Sequence, residues 1–257
     1  MAKLDEMIIN KDFVKTKITN NVEYDEVGEE VLRSVPYRWS HGATDDHLGD
    51  GLIIYSLIQY MRAKVCVCLG SGGGFIPRIM TQARLDLHNQ NIFEGTPDIS
   101  WGDIGTTYIV DAMNGVGGNV DWFKEESFYR RTFHPRILNT TTEDAFYNFF
   151  VKQDIKIDYL HIDAGHSYDN VKEDFELYTQ LLSDNGLVSI HDTDPNYADK
   201  FIVTQEVKDR GDFDDWSGPI QFVKEIDVTK WEKINLFNHG IIKNKPSSTG
   251  ITIIRKK

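Results

Sequence analysis

The chain has 257 residues, of which 40% are apolar and 12% aromatic, and its net charge is −12. This length favours one domain with a terminal extension and allows a large core. The acidic excess disfavours a nucleic-acid backbone as partner, because that backbone is bound by concentrated Lys and Arg.

After a polar start, the chain alternates between strand and helix patterns. Residues 1–47 have weak periodicity and predict an N-terminal extension or lid, followed by one domain over residues 48–257. Short apolar runs typical of buried strands follow in the order Val65–Leu69, Thr107–Val110, Arg136–Thr141, Ile157–Asp163 and Leu187–Ile190. Helical spacing falls at Leu48–Met61, from Phe75, at Glu143–Lys152 and from Tyr168 to Leu182, where Asn185-Gly186 is expected to end the helix.

The remaining segments complete the predicted fold. Residues 88–105 are loop-like, a helix is expected near Phe201–Lys208, and Gly218-Pro219 opens a shorter one. Trp231–Phe237 and Gly250–Arg255 are predicted as two strands joined by a loop, hence antiparallel. Strands alternating with helices imply a parallel sheet with right-handed crossovers. We therefore expect an α/β, Rossmann-like, doubly wound fold with a mostly parallel seven-stranded sheet and a C-terminal antiparallel hairpin.

Composition also bears on location and partners. Cys66 and Cys68 lie two residues apart on a predicted strand, which suits small buried thiols better than a disulfide. Reduced cysteines, no signal-like N-terminus and no apolar run of about 18 residues predict a cytoplasmic chain without a membrane span. The expected partner is a small polar molecule, and the N-terminal extension could serve as a homo-oligomer interface.

A glycine-rich turn follows the first strand of the predicted sheet. Gly70, Gly72 and Gly74 give a G-x-G-x-G pattern between strand and helix, where a nucleotide can approach the backbone and face helix amides. The pattern is not the G-x-G-x-x-G of dinucleotide sites, since position 75 is Phe. A tight turn without a ligand is the simpler explanation, but the strand before and the helix after favour a ligand.

This arrangement resembles the class I S-adenosylmethionine-dependent methyltransferases, which carry an acidic-x-Gly-x-Gly-x-Gly motif after their first strand and end their sheet in an antiparallel hairpin. The resemblance covers residues 48–257 and implies S-adenosylmethionine as cofactor. Carried over residue by residue, it implies a set of cofactor-binding positions: Gly70, Ser71, Gly72, Gly74, Asp111, Thr142, Glu143 and Asp163.

Some of these positions have alternatives. Asp111 would hold the ribose, but it is also a plausible turn residue, and Glu94 is the other candidate for the ribose contact. Thr142 and Glu143 lie where the family contacts adenine, yet such residues also cap helices. Cys68 departs from the family, which usually has Glu or Asp at that position.

The fourth and fifth predicted strands each end in Asp and His. Asp163 follows the fourth strand, and His191 and Asp192 end the fifth, so their side chains should meet at the carboxyl edge of the sheet. Such ligands suit a divalent cation, Mg or Mn, which would make an acceptor hydroxyl more acidic and fix its position. The expected metal ligands are Asp163, His191 and Asp192.

The spacing resembles that of bacterial sugar and natural-product O-methyltransferases, near the cephalosporin-hydroxylase-like branch. Metal-binding relatives have an acid where this chain has His191, and His favours Mn, Fe or Zn over Mg. Two alternatives to a metal site stay open. Relatives that need no metal exist, and Asp163 could instead interact with a helix dipole.

His166 is the expected catalytic base, because an ordinary imidazole pKa near 6.5 suits proton transfer at neutral pH. Asp163 and His191 complete the expected catalytic set. His191 and His41 are alternative bases, whereas mid-strand His161 is interpreted as a core residue.

Together these patterns predict an S-adenosylmethionine-dependent O-methyltransferase acting on a hydroxyl of a small polar metabolite such as a sugar. Three alternatives remain: metal-independent methyl transfer to another atom, a nicotinamide-dependent Rossmann oxidoreductase, and a cofactor-binding module without catalysis.

Overall fold

The computed structural model describes residues 22–24, 30–33, 41–42, 48–72, 74–93, 105–113, 134–197, 217–237, 241–242, 245–246 and 248–257. Its strands are Val22–Tyr24 (β1), Glu30–Arg33 (β2), Val65–Leu69 (β3), Thr106–Val110 (β4), Arg136–Leu138 (β5), Ile157–Ile162 (β6), Leu182–His191 (β7), Trp231–Leu236 (β8), Ile241–Ile242 (β9), Lys245–Pro246 (β10) and Ile251–Lys256 (β11). Its α-helices are Asp50–Met61 (α1), Phe75–Phe93 (α2), Thr142–Ala145 (α3), Tyr168–Tyr178 (α4) and Gly218–Glu225 (α5).

Shorter helical turns extend or follow these elements. A π-helical turn, Phe146–Phe150, continues α3, and a 3-10 turn, Thr179–Leu181, continues α4. A second 3-10 turn, Pro195–Tyr197, follows β7. Among the described helices, none combines the length and hydropathy required to cross a membrane.

Seven strands form the main sheet in the order β5-β4-β3-β6-β7-β11-β8. Strands β3 to β7 are parallel, whereas β11 is antiparallel to both of its neighbours, β7 and β8. The predicted fold, a mostly parallel seven-stranded sheet with a C-terminal antiparallel pair, is confirmed. Two separate two-stranded sheets, β1-β2 and β9-β10, accompany it.

The strand order reverses between β3 and β6. From β3 the chain builds outward through β4 and β5, and it then returns to pair β6 on the other side of β3. Ligands of open α/β sheets bind at such a point, outside the carboxyl ends of the strands. Gly70 and Asp163 directly follow these two strands, so both lie at the reversal.

Apolar side chains cover both faces of the sheet. One face, with Val67, Leu160 and Val188, packs against α3, α4 and α5. The other, with Cys66, Cys68 and Tyr159, packs against α1 and α2. Cys66 and Cys68 are buried free thiols, as predicted, and burial raises the pKa of Cys66 to about 12.

Three element boundaries differ from the sequence prediction. Helix α2 continues to Phe93, so residues 88–93 are not a loop. Helix α4 ends at Tyr178 and β7 begins at Leu182, so Asn185-Gly186 lies inside β7 and does not end a helix. The reason is a bulge, because the register steps from Ile157–Leu182 to Tyr159–Leu187 and leaves residues 183–186 outside the ladder.

Three further predicted segments differ from the structure or lie outside the described residues. β5 stops at Leu138, and Thr141 caps α3 by accepting a hydrogen bond from the Asp144 backbone N–H at 3.1 Å. The segment between β8 and β11, predicted as a loop, contains the β9-β10 pair. The helix predicted near residues 201–208 lies outside the described residues.

A buried carboxyl on α4 makes stability depend on pH. Asp174 is 3% exposed, and burial, partly offset by a hydrogen bond from the Thr142 side chain, raises its pKa from 3.8 to about 7. Its contribution to stability is therefore complete below about pH 4 and is lost as the pH rises through 7. Asp174→Asn should exceed the native chain in stability at pH 9 by a few kcal/mol, at about 1.4 kcal/mol per pKa unit.

Urea unfolding at pH 5 and pH 9 measures this difference. Glu176→Gln, an exposed change on the same helix, is the matched control and should show the same difference from the native chain at both pH values. A stability gain for Asp174→Asn that does not grow with pH would contradict the assignment.

Candidate functional site

Asp163 joins β6 to the glycine loop through its backbone. Its N–H donates to the Leu69 carbonyl at 2.9 Å. Its own carbonyl lies so close to Gly70 that a Cβ added there would stand 2.1 Å from that oxygen. Gly70 also has a φ of +79°, which disfavours an L side chain. The close approach of these two strand ends therefore requires glycine at position 70.

Asp111, which follows β4, holds the glycine loop by hydrogen bonds to Ser71. One carboxylate oxygen, Oδ2, accepts the Ser71 backbone N–H at 2.9 Å and the Ser71 hydroxyl. The other, Oδ1, accepts the Met113 N–H at 2.8 Å. The loop is thus held by a buried carboxylate at the carboxyl edge of the sheet.

The top of the glycine loop is open. Gly72 has a φ of +47°, and a Cβ added there would meet no atom of the described residues within 4 Å. Ligand-binding backbone is expected to be accessible in this way, since a side chain would fill the space next to the peptide groups.

The Asp163 carboxylate contacts three imidazoles. His41 Nε2 lies 3.1 Å from Asp163 Oδ2. His166 Nε2 and His191 Nδ1 lie 3.6 Å and 3.4 Å from Asp163 Oδ1. Asp192 completes the group, which we call the carboxylate–histidine cluster: His41, Asp163, His166, His191 and Asp192.

Asp192 contacts two of the same rings. Its Oδ2 lies 2.9 Å from His166 Nε2, and its Oδ1 lies 3.1 Å from His191 Nδ1. His191 Nε2, on the opposite side of the ring, lies 3.1 Å from Thr249 Oγ1 and 3.6 Å from Asp50 Oδ2. Both nitrogens of His191 therefore face oxygen atoms.

Local structure fixes several of these side chains. His166 directly precedes Ser167, which caps α4, and Gly218 at the start of α5 packs so tightly that an added Cβ would lie 2.3 Å from the His166 carbonyl. His41 and Asp192 have positive φ angles of 54° and 58°, which non-glycine residues adopt infrequently. Backbone strain of this kind concentrates at functional sites.

Mutual charge compensation sets the pKa values. Burial disfavours ionised Asp163, yet charge on His191 and hydrogen bonds from the histidines hold its pKa well below the usual range. The pKa of Asp192 is lowered in the same way against the effect of burial. Burial opposes the charged imidazoles too, but the two carboxylates raise the pKa of His166 to about 9 and that of His191 well above its usual value.

The predicted metal ligands come together. Asp163, His191 and Asp192 each offer one ligand atom within 4.8 Å of the other two. The structure also brings His166 to Asp163 and Asp192, and it adds His41 from the N-terminal segment.

The predicted adenine contacts, Thr142 and Glu143, lie on the first turn of α3, which follows β5. The Thr142 carbonyl accepts the Tyr178 hydroxyl at 2.8 Å, and its side chain binds Asp174, so Thr142 is engaged with α4. Glu143 is exposed on the first turn of α3. Glu94, the alternative to Asp111, lies outside the described residues.

His161 was underestimated by sequence reasoning. It is buried as predicted, but its ring lies 6.0 Å from the ring of His41 and 6.4 Å from that of His191, centre to centre. Its spacing of two from Asp163 was the available signal, because residues two apart on an extended chain share a face.

Comparison with known proteins identifies the domain. Residues 67–193, which run from β3 through the last residues of the cluster, match a family model described as a methyltransferase domain. This segment of the chain is therefore similar to methyltransferase domains. The predicted class of protein is therefore confirmed.

Solved structures show the same fold at low identity. The O-methyltransferase from Bacillus cereus, solved in complex with SAH, covers 81% of this chain and 80% of its own, with a TM-score of 0.54 and 13% identity. A putative caffeoyl-CoA O-methyltransferase from Staphylococcus aureus gives a TM-score of 0.52, 18% identity and coverage of 80% and 81%. TomG from Streptomyces achromogenes is an O-methyltransferase involved in tomaymycin synthesis and was solved with SAM. Its TM-score is 0.52 and its identity 11%, and the match covers 80% of this chain and 78% of TomG.

A curated relative extends well beyond the match. Protein y4gI of Sinorhizobium fredii is 31% identical over 146 residues, which is 54% of this chain and 14% of that protein. The chain thus spans about one seventh of the length of this relative.

The two glycines at the site should respond differently to substitution. Gly70→Ala forces a Cβ into the Asp163 backbone and should lower the free energy of unfolding by several kcal/mol, in the range of severe core changes. Gly72→Ala meets open space and should cost only about 1–2 kcal/mol for its left-handed backbone. Urea unfolding of both variants measures the contrast, and equal losses would contradict the close approach of Asp163 to Gly70.

Proposed function

We propose that the chain transfers a methyl group from S-adenosylmethionine to a hydroxyl of a small polar metabolite such as a sugar. The observation that supports this most strongly is the pairing, at one strand-order reversal, of an open glycine loop with the carboxylate–histidine cluster. One side is suited to a nucleoside-containing donor and the other to a polar acceptor. The methyltransferase-domain match supports the same reaction class.

The glycine loop fits the donor. Gly72 leaves backbone accessible, Ser71 is held by Asp111, and helix α2 begins just after the loop, so its first amides lie beside the open space. Gly70, Ser71, Gly72, Gly74 and Asp111 are the proposed donor-binding residues. The structures solved with SAM or SAH, TomG and the Bacillus cereus enzyme, support S-adenosylmethionine as the donor.

Thr142, Glu143 and Asp163 are the remaining proposed donor contacts. Thr142 and Glu143 stand at the carboxyl end of β5, on the same edge of the sheet as Asp111. The backbone of Asp163 contacts the glycine loop, and its carboxylate belongs to the cluster. Asp163 therefore lies between the proposed donor side and the proposed acceptor side.

The cluster also fits a divalent cation. Asp163, His191 and Asp192 place a carboxylate, an imidazole and a second carboxylate within reach of one ion, with negative charge in excess. A bound cation would make an acceptor hydroxyl more acidic, orient it, and offset the carboxylate charge that raises the pKa of His166.

His166 is the proposed catalytic base. Its side chain is 19% exposed, compared with 10% for His41 and 7% for His191, so an acceptor reaches it most readily. Both nitrogens of His191 are already directed at oxygen atoms, which suits a positioning role. Asp163 and Asp192 hold the His166 ring in place. Because their charge raises its pKa to about 9, the ring accepts the hydroxyl proton above that pH, or nearer neutrality once a bound cation offsets the carboxylate charge.

Donor binding separates this proposal from its alternatives. Isothermal titration with S-adenosylmethionine, S-adenosylhomocysteine and NAD should give binding of the first two and not of NAD. Gly72→Leu, whose side chain enters the open space above the loop, should weaken donor binding at least about tenfold, an effect of about 1.4 kcal/mol. Leu52→Ala, an exposed change on α1, is the control and should leave donor affinity unchanged. Binding of NAD alone would favour an oxidoreductase.

His166→Gln tests the base. Methyl transfer from labelled S-adenosylmethionine to a panel of sugars and other polyols should fall about 10²- to 10⁴-fold, the usual contribution of a general base. Donor affinity should be unchanged, since His166 lies on the acceptor side. Unchanged turnover would remove His166 from the mechanism, and loss of donor binding would assign it to the donor site.

A further inference from the structure

His161 is a buried histidine of which one ring nitrogen has no hydrogen-bond partner among the described residues. Its side chain has no solvent exposure, and its Nδ1 lies 2.8 Å from Ser189 Oγ. Within the described part of the chain, its Nε2 has no hydrogen-bond partner. A buried polar atom without a partner costs free energy, so packing alone does not account for a histidine here.

The surrounding hydrogen bonds define the state of this ring. Ser189 Oγ accepts the Tyr159 hydroxyl at 2.9 Å, and the Leu160 carbonyl lies 3.4 Å away as an acceptor for the Ser189 proton. When Ser189 donates to that carbonyl, it can accept a proton from His161 Nδ1, and this tautomer leaves the Nε2 lone pair free. Metal-binding histidines have this form, with the second nitrogen held by a hydrogen bond.

Two further ligand types stand beside this ring. His41, His161 and Asp163 each offer one ligand atom within 4.8 Å of the other two. His41 approaches Asp163 Oδ2, whereas His166 and His191 approach Oδ1. The two oxygens of Asp163 therefore face different sets of imidazoles.

We propose that His41, His161 and Asp163 form a second cation site, which binds a divalent first-row transition-metal ion. Two imidazoles and one carboxylate suit Mn, Fe, Co, Ni or Zn, whereas Mg and Ca prefer oxygen ligands. The site shares Asp163 with the cation set of the proposed function but depends on no step of methyl transfer. A bound ion ties the turn that carries His41 to the end of β6.

Cobalt is the probe for this site, because its visible absorption reports nitrogen ligands. Chelator-treated protein should bind Co²⁺ at least about 100-fold more tightly than Mg²⁺ in isothermal titration. His41→Ala and His161→Gln should each weaken Co²⁺ binding at least about tenfold and change the absorption spectrum. Thermal unfolding of the metal-free variants checks their fold, and His41→Ala, on a partly exposed turn, keeps the test valid if His161→Gln does not fold.

Two matched controls separate this site from its neighbour. His134→Ala removes an exposed histidine and should leave Co²⁺ binding unchanged. Asp192→Asn removes a ligand from the Asp163–His191–Asp192 set and none from the proposed second site, so this variant should still bind one Co²⁺. The proposal is overturned if Mg²⁺ binds as tightly as Co²⁺, if neither ion binds, or if Asp192→Asn abolishes binding while His41→Ala and His161→Gln do not. Since methyl transfer is not the readout, these outcomes are independent of the proposed function.

Discussion

The site depends on the compensation of buried carboxylate charge by histidine. Asp163 and Asp192 are both largely removed from solvent, and ionised carboxylates in such surroundings require hydrogen bonds and opposite charge. His41, His166 and His191 supply them, which explains why the carboxylate pKa values fall while those of His166 and His191 rise. Protons and metal ions compete for the same lone pairs, so binding of a cation by this cluster would release protons.

The same aspartate connects this cluster to the glycine loop. Its backbone is in contact with Gly70 and hydrogen-bonded to Leu69, while its carboxylate belongs to the cluster. The strand-order reversal creates this contact, because it makes β3 and β6 neighbours although Ile157 lies 87 positions after Gly70 along the chain. The strand order thus brings the ends of β3 and β6 together, and Asp163 connects the glycine loop to the cluster.

Sequence patterns were sufficient for the elements whose signals are local. The glycine loop, the buried strands and the strand-end Asp–His pairs could all be recognised from periodicity and residue type. The bulge at residues 183–186 could not be recognised in this way. Asn-Gly is compatible both with a helix end and with a bulge in a strand, and only the pairing with β6 distinguishes the two. His41 and His161 were similarly ambiguous. The contact of His41 with Asp163 spans 122 positions, and the unpaired nitrogen of His161 depends on which partners surround it.

A crystal structure of the chain with S-adenosylhomocysteine and Co²⁺ tests directly whether the donor site and the cation site meet at Asp163, since it locates donor product and cation together. We expect the nucleoside to lie over Gly72 and beside Asp111, with the sulfur facing the carboxylate–histidine cluster. We also expect an anomalous cobalt peak at bonding distance from Asp163. S-adenosylhomocysteine bound away from the β3–β6 reversal, or cobalt bound without Asp163, would contradict these expectations.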